Sequence, residues 1–323
     1  MTNPAPKSIE SLLLNVVPGA HDVGLPDQLV SEIKEALGTI TEPEFLEAVE
    51  AQGKEWGYQP RHEIATAIST SIIKALIGVQ EVKGKERIQE AIHLANEGYS
   101  VTMVSNHLSY GDINYLQTQL RMQGVQHVPL LVMAGPKVYS DTFRKLSSMS
   151  FETLKMAQPP SRASGGAADV SMRELAEVTR KVITEAEYWM NKGRILYFFP
   201  EGSRSRTGDL QRFVAASARY CNFEKSVVFP VGYKGTEGLL SLDDGKIHFE
   251  DIQVSLGEPI FYSKVAEKLE GPPAVKRKTW MDVLGYAVAD LVDPEIQGVY
   301  CQKGSTEVDL EVARQVYLTM RNR

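Results

Sequence analysis

From Tyr99 onward the chain alternates between short apolar runs rich in β-branched and aromatic residues and longer stretches with helical spacing. No other feature constrains the fold as much. Strands are expected at 99–105, 129–134, 194–199, 226–232 and 246–256, and helices at 109–123, 138–148, 170–192, 210–221 and 279–292. Strands separated by helices pair mainly through crossovers, which favour parallel neighbours. The expected class is therefore α/β, with a mixed, largely parallel sheet flanked by helices. In such sheets, ligand sites form beyond the carboxyl ends of the strands.

Residues 1–97 follow a different pattern. Ile9, Leu12, Leu13 and Val16 form one apolar stripe, and Leu29, Ile33 and Leu37 another. Phe45, Leu46 and Val49 form a third, Ile64, Ile68, Ile72 and Leu76 a fourth, and Ile88, Ile92 and Ala95 a fifth. Narrow stripes broken by Gly and Pro predict an N-terminal helical bundle domain over 1–97, followed by an α/β domain over 98–323. Neither half shows a long repeat or a low-complexity segment.

Two strand ends carry the chemistry. Val101 to Val104 is an apolar run that turns through Ser105 and Asn106 into His107, with Asp112 five residues further on. Ser109 and Asp112 have the spacing of a capping box, so Ser109 is the expected N-cap of the next helix. With His107 on the loop and Asp112 in the first helical turn, the two side chains can converge. A carboxylate on one ring nitrogen fixes the tautomer and leaves the other nitrogen as a base. The plainer alternative is that Asp112 only caps and His107 is an ordinary loop histidine. The second strand end is Ile195 to Phe199, stopped by Pro200 and followed by Glu201, Gly202, Ser203, Arg204, Ser205 and Arg206. Arginines two apart beside a glycine suit a phosphate, although a solvated basic loop has the same composition. The loop lacks the G-x-S-x-G elbow of a serine nucleophile.

Charge sharpens this picture. Residues 1–100 carry 8 Lys+Arg against 15 Asp+Glu, a net of −7, whereas residues 134–212 carry 13 against 9, a net of +4. An anionic substrate therefore fits the middle of the chain, and the acidic N-terminal part argues against nucleic acid. Cys221 and Cys301 offer no disulfide framework and no metal-ligand spacing, so a reducing, cytoplasmic setting and no metal are expected. The longest apolar stretch, Ile64 to Val79, is interrupted by Lys74 and falls short of the roughly 20 apolar residues of a membrane span. Any membrane attachment is expected to be peripheral.

Together and in this order, about 90 residues apart, the two strand ends resemble the glycerolipid acyltransferase superfamily. Asn106 to Asp112 matches its H-x4-D block, Phe199 to Arg204 its F-P-E-G-x-R block, and Val228 to Gly232 its last strand. The layout is nearest to that of the soluble glycerol-3-phosphate 1-O-acyltransferases of chloroplasts and some bacteria, which also place a helical bundle first and carry two arginines so spaced. Retention of Pro200, Glu201 and Gly202 is the more general superfamily form.

The resemblance implies transfer of a fatty acyl group from acyl carrier protein or acyl-CoA to the sn-1 hydroxyl of glycerol 3-phosphate, giving lysophosphatidate for phospholipid synthesis. His107 would be the base, oriented by Asp112, with no cofactor. Arg204 and Arg206 would bind phosphate, with Lys155 and Arg162 as weaker candidates from the block between the motifs. Glu201, Gly202 and Ser203 would shape the loop or the oxyanion site. The implied compartment is cytoplasm or a stroma-like equivalent. One alternative is a lysophosphatidate acyltransferase. Another, of a different class, is a catalytically silent lipid- or carrier-binding protein, against which the intact His107 and Asp112 speak.

Overall fold

The computed structural model describes residues 8–17, 20–158, 171–239, 247, 251–301 and 307–321. Each of the five expected N-terminal stripes lies on a helix. They are α1 (Ile9–Val16), α3 (Asp27–Leu37), α4 (Glu42–Ala51), α5 (Glu63–Ile77) and α6 (Arg87–Asn96), with a short α2 (Ala20–Val23) after the first. Local sequence explains where they start. Ser8 caps α1 and Thr41 caps α4, each in a reciprocal capping box. Ile68, Ile72 and Ile73 of α5 are buried, so its apolar face is core.

Two short strands in the same stretch escaped the sequence reading, β1 (Gly57–Gln59) and β2 (Val82–Lys83). Two or three residues give too little periodicity to recognise. The other strands are β3 (Ser100–Ser105), β4 (Leu130–Ala134), β5 (Glu152–Lys155), β6 (Ile195–Phe198), β7 (Ser226–Lys234), β8 (Gln253–Leu256) and β9 (Ile260–Phe261). They form one nine-stranded sheet in the order β1-β5-β4-β6-β3-β7-β8-β2, with β9 also on β7. The central run β5-β4-β6-β3-β7 is parallel throughout, β1 pairs antiparallel with β5, β8 and β9 pair antiparallel with β7, and β2 is parallel to β8. The sheet is mixed and largely parallel, as expected.

Around it lie α7 (Asp112–Met122), α8 (Thr142–Ser148), α9 (Met172–Met190), α10 (Tyr262–Ala266), α11 (Pro273–Ala289) and α12 (Val308–Arg321). Side chains alternate across the sheet with the period of two that a pleat imposes. Val101 and Met103 of β3 and Ile195 and Tyr197 of β6 face one apolar cluster, shared with α1 to α7. Val104, Leu196 and Phe198 face the other, shared with α9, α11 and α12. The first cluster runs without a break from the N-terminal helices into the sheet, and β1 and β2 pair with β5 and β8.

Three local expectations need correction. The helix expected at 109–123 begins at Asp112, not Ser109. The helix expected at 210–221 is a loop followed by a 3₁₀ helix over Ala215–Tyr220. Its backbone N–H groups are engaged elsewhere: Leu210 donates to Ile296, Phe213 to the Tyr300 hydroxyl and Val214 to Pro200. Strand 246–256 narrows to β8, with 246 and 248–250 outside the described residues.

Candidate active site

β3 and β6 are adjacent at the centre of the sheet, with Val104 opposite Phe198. The loops that follow them therefore leave the sheet side by side, bringing residues 94 apart in sequence into contact. Asn106 starts the first loop and pairs with the backbone of Tyr233 on β7 in both directions, donating to its carbonyl and accepting its N–H at 2.8 Å. That contact extends the sheet's hydrogen bonding by one residue and fixes where His107 emerges.

His107 is held from four sides. Its Nδ1 lies 3.0 Å from Asp112 Oδ2, and the Phe199 ring stacks on the imidazole with centroids 3.8 Å apart. Its backbone N–H donates to Glu201 Oε1 at 2.7 Å, and its carbonyl accepts the Ser205 N–H at 2.8 Å. With Asp112 ionised, Nδ1 carries the proton and Nε2 is the basic nitrogen. Asp112 is fully buried and also accepts the backbone N–H groups of Leu108 and Ser109, both at 3.0 Å. Ser109 thus contributes its N–H, as in half a capping box, while its hydroxyl accepts from Gly111 instead of capping α7.

Glu201 joins the two loops. Besides His107, it accepts the Gln211 N–H at 3.0 Å through Oε2. Burial pushes its pKa up to about 8, against these two donors, which favour the carboxylate. Gly202 follows at φ +76, a left-handed conformation suited to glycine, and its own N–H donates to the Phe199 carbonyl at 3.1 Å. That N–H is engaged in the turn, and Gly202 and Ser203 lie exposed at the loop's edge.

His107 opens onto a cavity of about 650 Å³, a typical size for a small-molecule site. Lys137, Arg144, Arg204, Arg206 and Arg219 line it, and among the described residues no Asp or Glu does. Val132, Met133, Met156, Leu175 and Phe198 supply an apolar part of the wall. Arg204 is half-buried, its guanidinium carbon 3.9 Å from the centre of the Tyr110 ring. Its pKa is drawn down chiefly by burial, with the charge of Arg144 acting in the same direction. Arg206 lines the same cavity but is exposed.

Two other expected phosphate contacts do not join this group. The Lys155 ammonium sits 4.2 Å from the Trp56 ring centre, donates to the Gly53 carbonyl and is not part of the lining. Arg162 lies outside the described residues. Conversely, Asn106, Phe199, Tyr110 and Arg144 hold or line the site without having been assigned to it. The first three lie in or beside the quoted motifs. Arg144 has no local signal, since only the packing of α8 brings it to the cavity.

Residues 80–234, which contain the His107–Asp112 pair, both loops and most of the cavity lining, match the family model described as Acyltransferase. Over those residues the chain carries an acyltransferase domain. Among solved structures, the chain is similar to the 1-acyl-sn-glycerophosphate (LPA) acyltransferase PlsC from Thermotoga maritima, at 16% identity, covering 81% of this chain and 95% of that one with a TM-score of 0.35. No curated protein matches the chain. Among the described residues of this acyltransferase, no helix is long and apolar enough to cross a membrane, and no group of His, Cys, Asp and Glu could hold a metal ion.

Proposed function

We propose that this chain moves a fatty acyl group from the thioester of acyl carrier protein or coenzyme A to the sn-1 hydroxyl of glycerol 3-phosphate. The observation that carries the reading is the Asp112-held His107 at a cavity lined by five cations and an apolar wall. His107 Nε2 takes the proton from the acceptor hydroxyl as that oxygen attacks the thioester carbonyl. The tetrahedral adduct then expels the thiolate, which recovers the proton from the imidazolium. Asp112 stays ionised and stabilises that imidazolium. Arg204 and Arg206 supply forked donors for the acceptor's phosphate.

A second reading takes lysophosphatidate as acceptor, and the apolar wall favours it because that acceptor brings an acyl chain of its own. Both readings use the same base and the same phosphate contacts. Purified protein, a radiolabelled acyl thioester and the two acceptors offered separately decide between them. Transfer to glycerol 3-phosphate supports the first, transfer to lysophosphatidate alone replaces it with the second, and thiol release with neither product sinks both.

A further inference from the structure

A general base at His107 carries a positive charge for part of each turnover, and its side chain is only 13% exposed. A charge so enclosed needs compensation close by, because little water reaches it. Asp112 compensates in the plane of the ring, at Nδ1, and Nε2 has to stay open for the acceptor's hydroxyl. The two faces of the imidazole remain. One is covered by Phe199, whose ring centroid lies 3.8 Å away at an interplanar angle of 18°. That placement follows from the strand. Side chains alternate across a pleat, so Phe198 joins the cluster on one side of the sheet, while Tyr197 and Phe199 join the other. A residue before proline is held to extended backbone, so Pro200 carries the alternation through to Phe199. Tyr197 is fully buried and packs tilted against Phe199, with centroids 5.6 Å apart. Its hydroxyl donates to that of Tyr233 at 3.0 Å. The ring stacked on His107 is therefore itself fixed.

We propose that Phe199 is a positioning residue with an electronic role: its ring face stabilises the His107 imidazolium and so strengthens the base. The inference rests on His107 as the general base of the proposed reaction. An aromatic face is the negative end of the ring's quadrupole, and it attracts a cation more than it attracts a neutral imidazole. A second carboxylate in that place would compete for the proton, whereas a phenyl ring has no atom that can take it. The other groups around His107 pull in both directions. Asp112 on α7 favours the imidazolium. Tyr110 meets the imidazole edge-on, with centroids 6.2 Å apart, and carries the Arg204 and Arg144 guanidiniums 3.9 and 4.4 Å from its own centre. Those positive charges oppose a further one nearby. Glu201 accepts the His107 backbone N–H. The Phe199 face offsets part of the arginines' effect without adding a charge.

The test keeps the shape of the ring and changes its charge distribution. In the full chain, Phe199 is replaced by phenylalanines carrying one, two or three ring fluorines, which withdraw electrons from the face and leave its size nearly unchanged. Two readouts follow the series. In an NMR titration of isotope-labelled histidine without substrate, the His107 midpoint should fall stepwise by about 0.4–1.5 pH units in total, the range for a cation–π contact. The His107 signal is assigned among the six histidines by its loss in His107→Gln. In steady-state assays with the active acceptor, the acidic limb of kcat/KM should move down by the same amount, and its plateau should fall about two- to thirtyfold. Asp112, Tyr110, Glu201, Arg144 and Arg204 are unchanged throughout, so they cannot produce a graded shift. A merely structural ring would leave the midpoint and the limb in place, and that result overturns the proposal whatever happens to the plateau. If the parent acylates neither acceptor, the proposed activity fails while the NMR titration still decides the stack. Should the trifluorinated chain lack a cooperative melt, the monofluorinated one decides: a lowered midpoint supports the electronic role, and an unchanged one overturns it.

Discussion

Asp112 Oδ2 lies 3.0 Å from His107 Nδ1, and the same oxygen accepts the backbone N–H groups of Leu108 and Ser109. One buried carboxylate therefore orients the ring and shapes the loop that carries it. His107→Ala should leave the fold intact and lower kcat by about a hundred- to ten-thousandfold, the range for a positioned base. Asp112→Asn should lower both rate and stability, because an amide cannot accept from all three donors and keep a carboxylate's charge beside the ring. A stability loss of about 1–3 kcal/mol is expected from the weakened buried bonds. Urea melts and kcat measured on the same preparations check both, and an Asp112→Asn variant with full activity would remove Asp112 from the mechanism.

Glu201 predicts a pH dependence of stability. Its pKa is about 8 in the fold against an ordinary value of 4.5, with burial the main cause. Between those values the folded chain keeps a proton that the unfolded chain has released. The stability contributed by the protonated form is therefore present below about pH 4.5 and is lost as pH rises to about 8. The slope from this single group is at most about 1.4 kcal/mol per pH unit. Glu201→Gln should flatten that part of the profile, read as Tm against pH beside the parent. Parallel profiles for the two proteins would refute the assignment.

Where residues act through local pattern, the sequence was readable. The five N-terminal stripes are helices because three or four apolar residues at helical spacing need nothing beyond their own helix to be recognised. His107 and Asp112 were identifiable because they flank one strand-to-helix turn, and Arg204 because it lies four residues past Pro200. What escaped depends on tertiary partners. The stretch at 210–214 has helical spacing, but Ile296, Tyr300 and Pro200 take its N–H groups. Lys155 looked like an anion contact, yet Trp56 and the Gly53 carbonyl hold its ammonium away from the cavity lining. Arg144 lies more than thirty residues from His107, and nothing local connects them.

The N-terminal part and the sheet share one core. β1 and β2 lie before residue 97 and pair with β5 and β8, while the apolar faces of α1, α3, α5 and α6 belong to the same cluster as Met103 and Tyr197. A fragment of residues 98–323 should therefore expose that apolar face and leave strand edges unpaired, which favours aggregation. It is expected to lack a cooperative thermal transition by circular dichroism. A fragment that melts cooperatively and stays monomeric would instead establish 1–97 as a separable domain.

Arg212 anchors the far end of the loop that contains Arg204. Its Nε and Nη2 take a forked pair to Asp282 on α11 at 3.1 and 2.7 Å, and Nη2 also reaches Asp309 on α12 at 2.8 Å. Asp282 is fully buried and accepts the Tyr300 hydroxyl at 3.0 Å, and that hydroxyl in turn accepts the Phe213 N–H at 2.8 Å. The preceding residue, Gln211, donates its N–H to Glu201, so the anchor reaches the backbone of His107 through one carboxylate. Arg212→Ala leaves a buried carboxylate without its cation and should cost about 3–5 kcal/mol, with a smaller fall in kcat from the loosened loop. Removing the charge as well, in Arg212→Ala with Asp282→Asn, should recover part of the loss, since the amide can still accept from Tyr300 without burying an ion. Chemical denaturation of the parent and the two variants measures this. Losses that add, with the double variant less stable than Arg212→Ala alone, would show that the pair is not coupled and that the loop is anchored elsewhere.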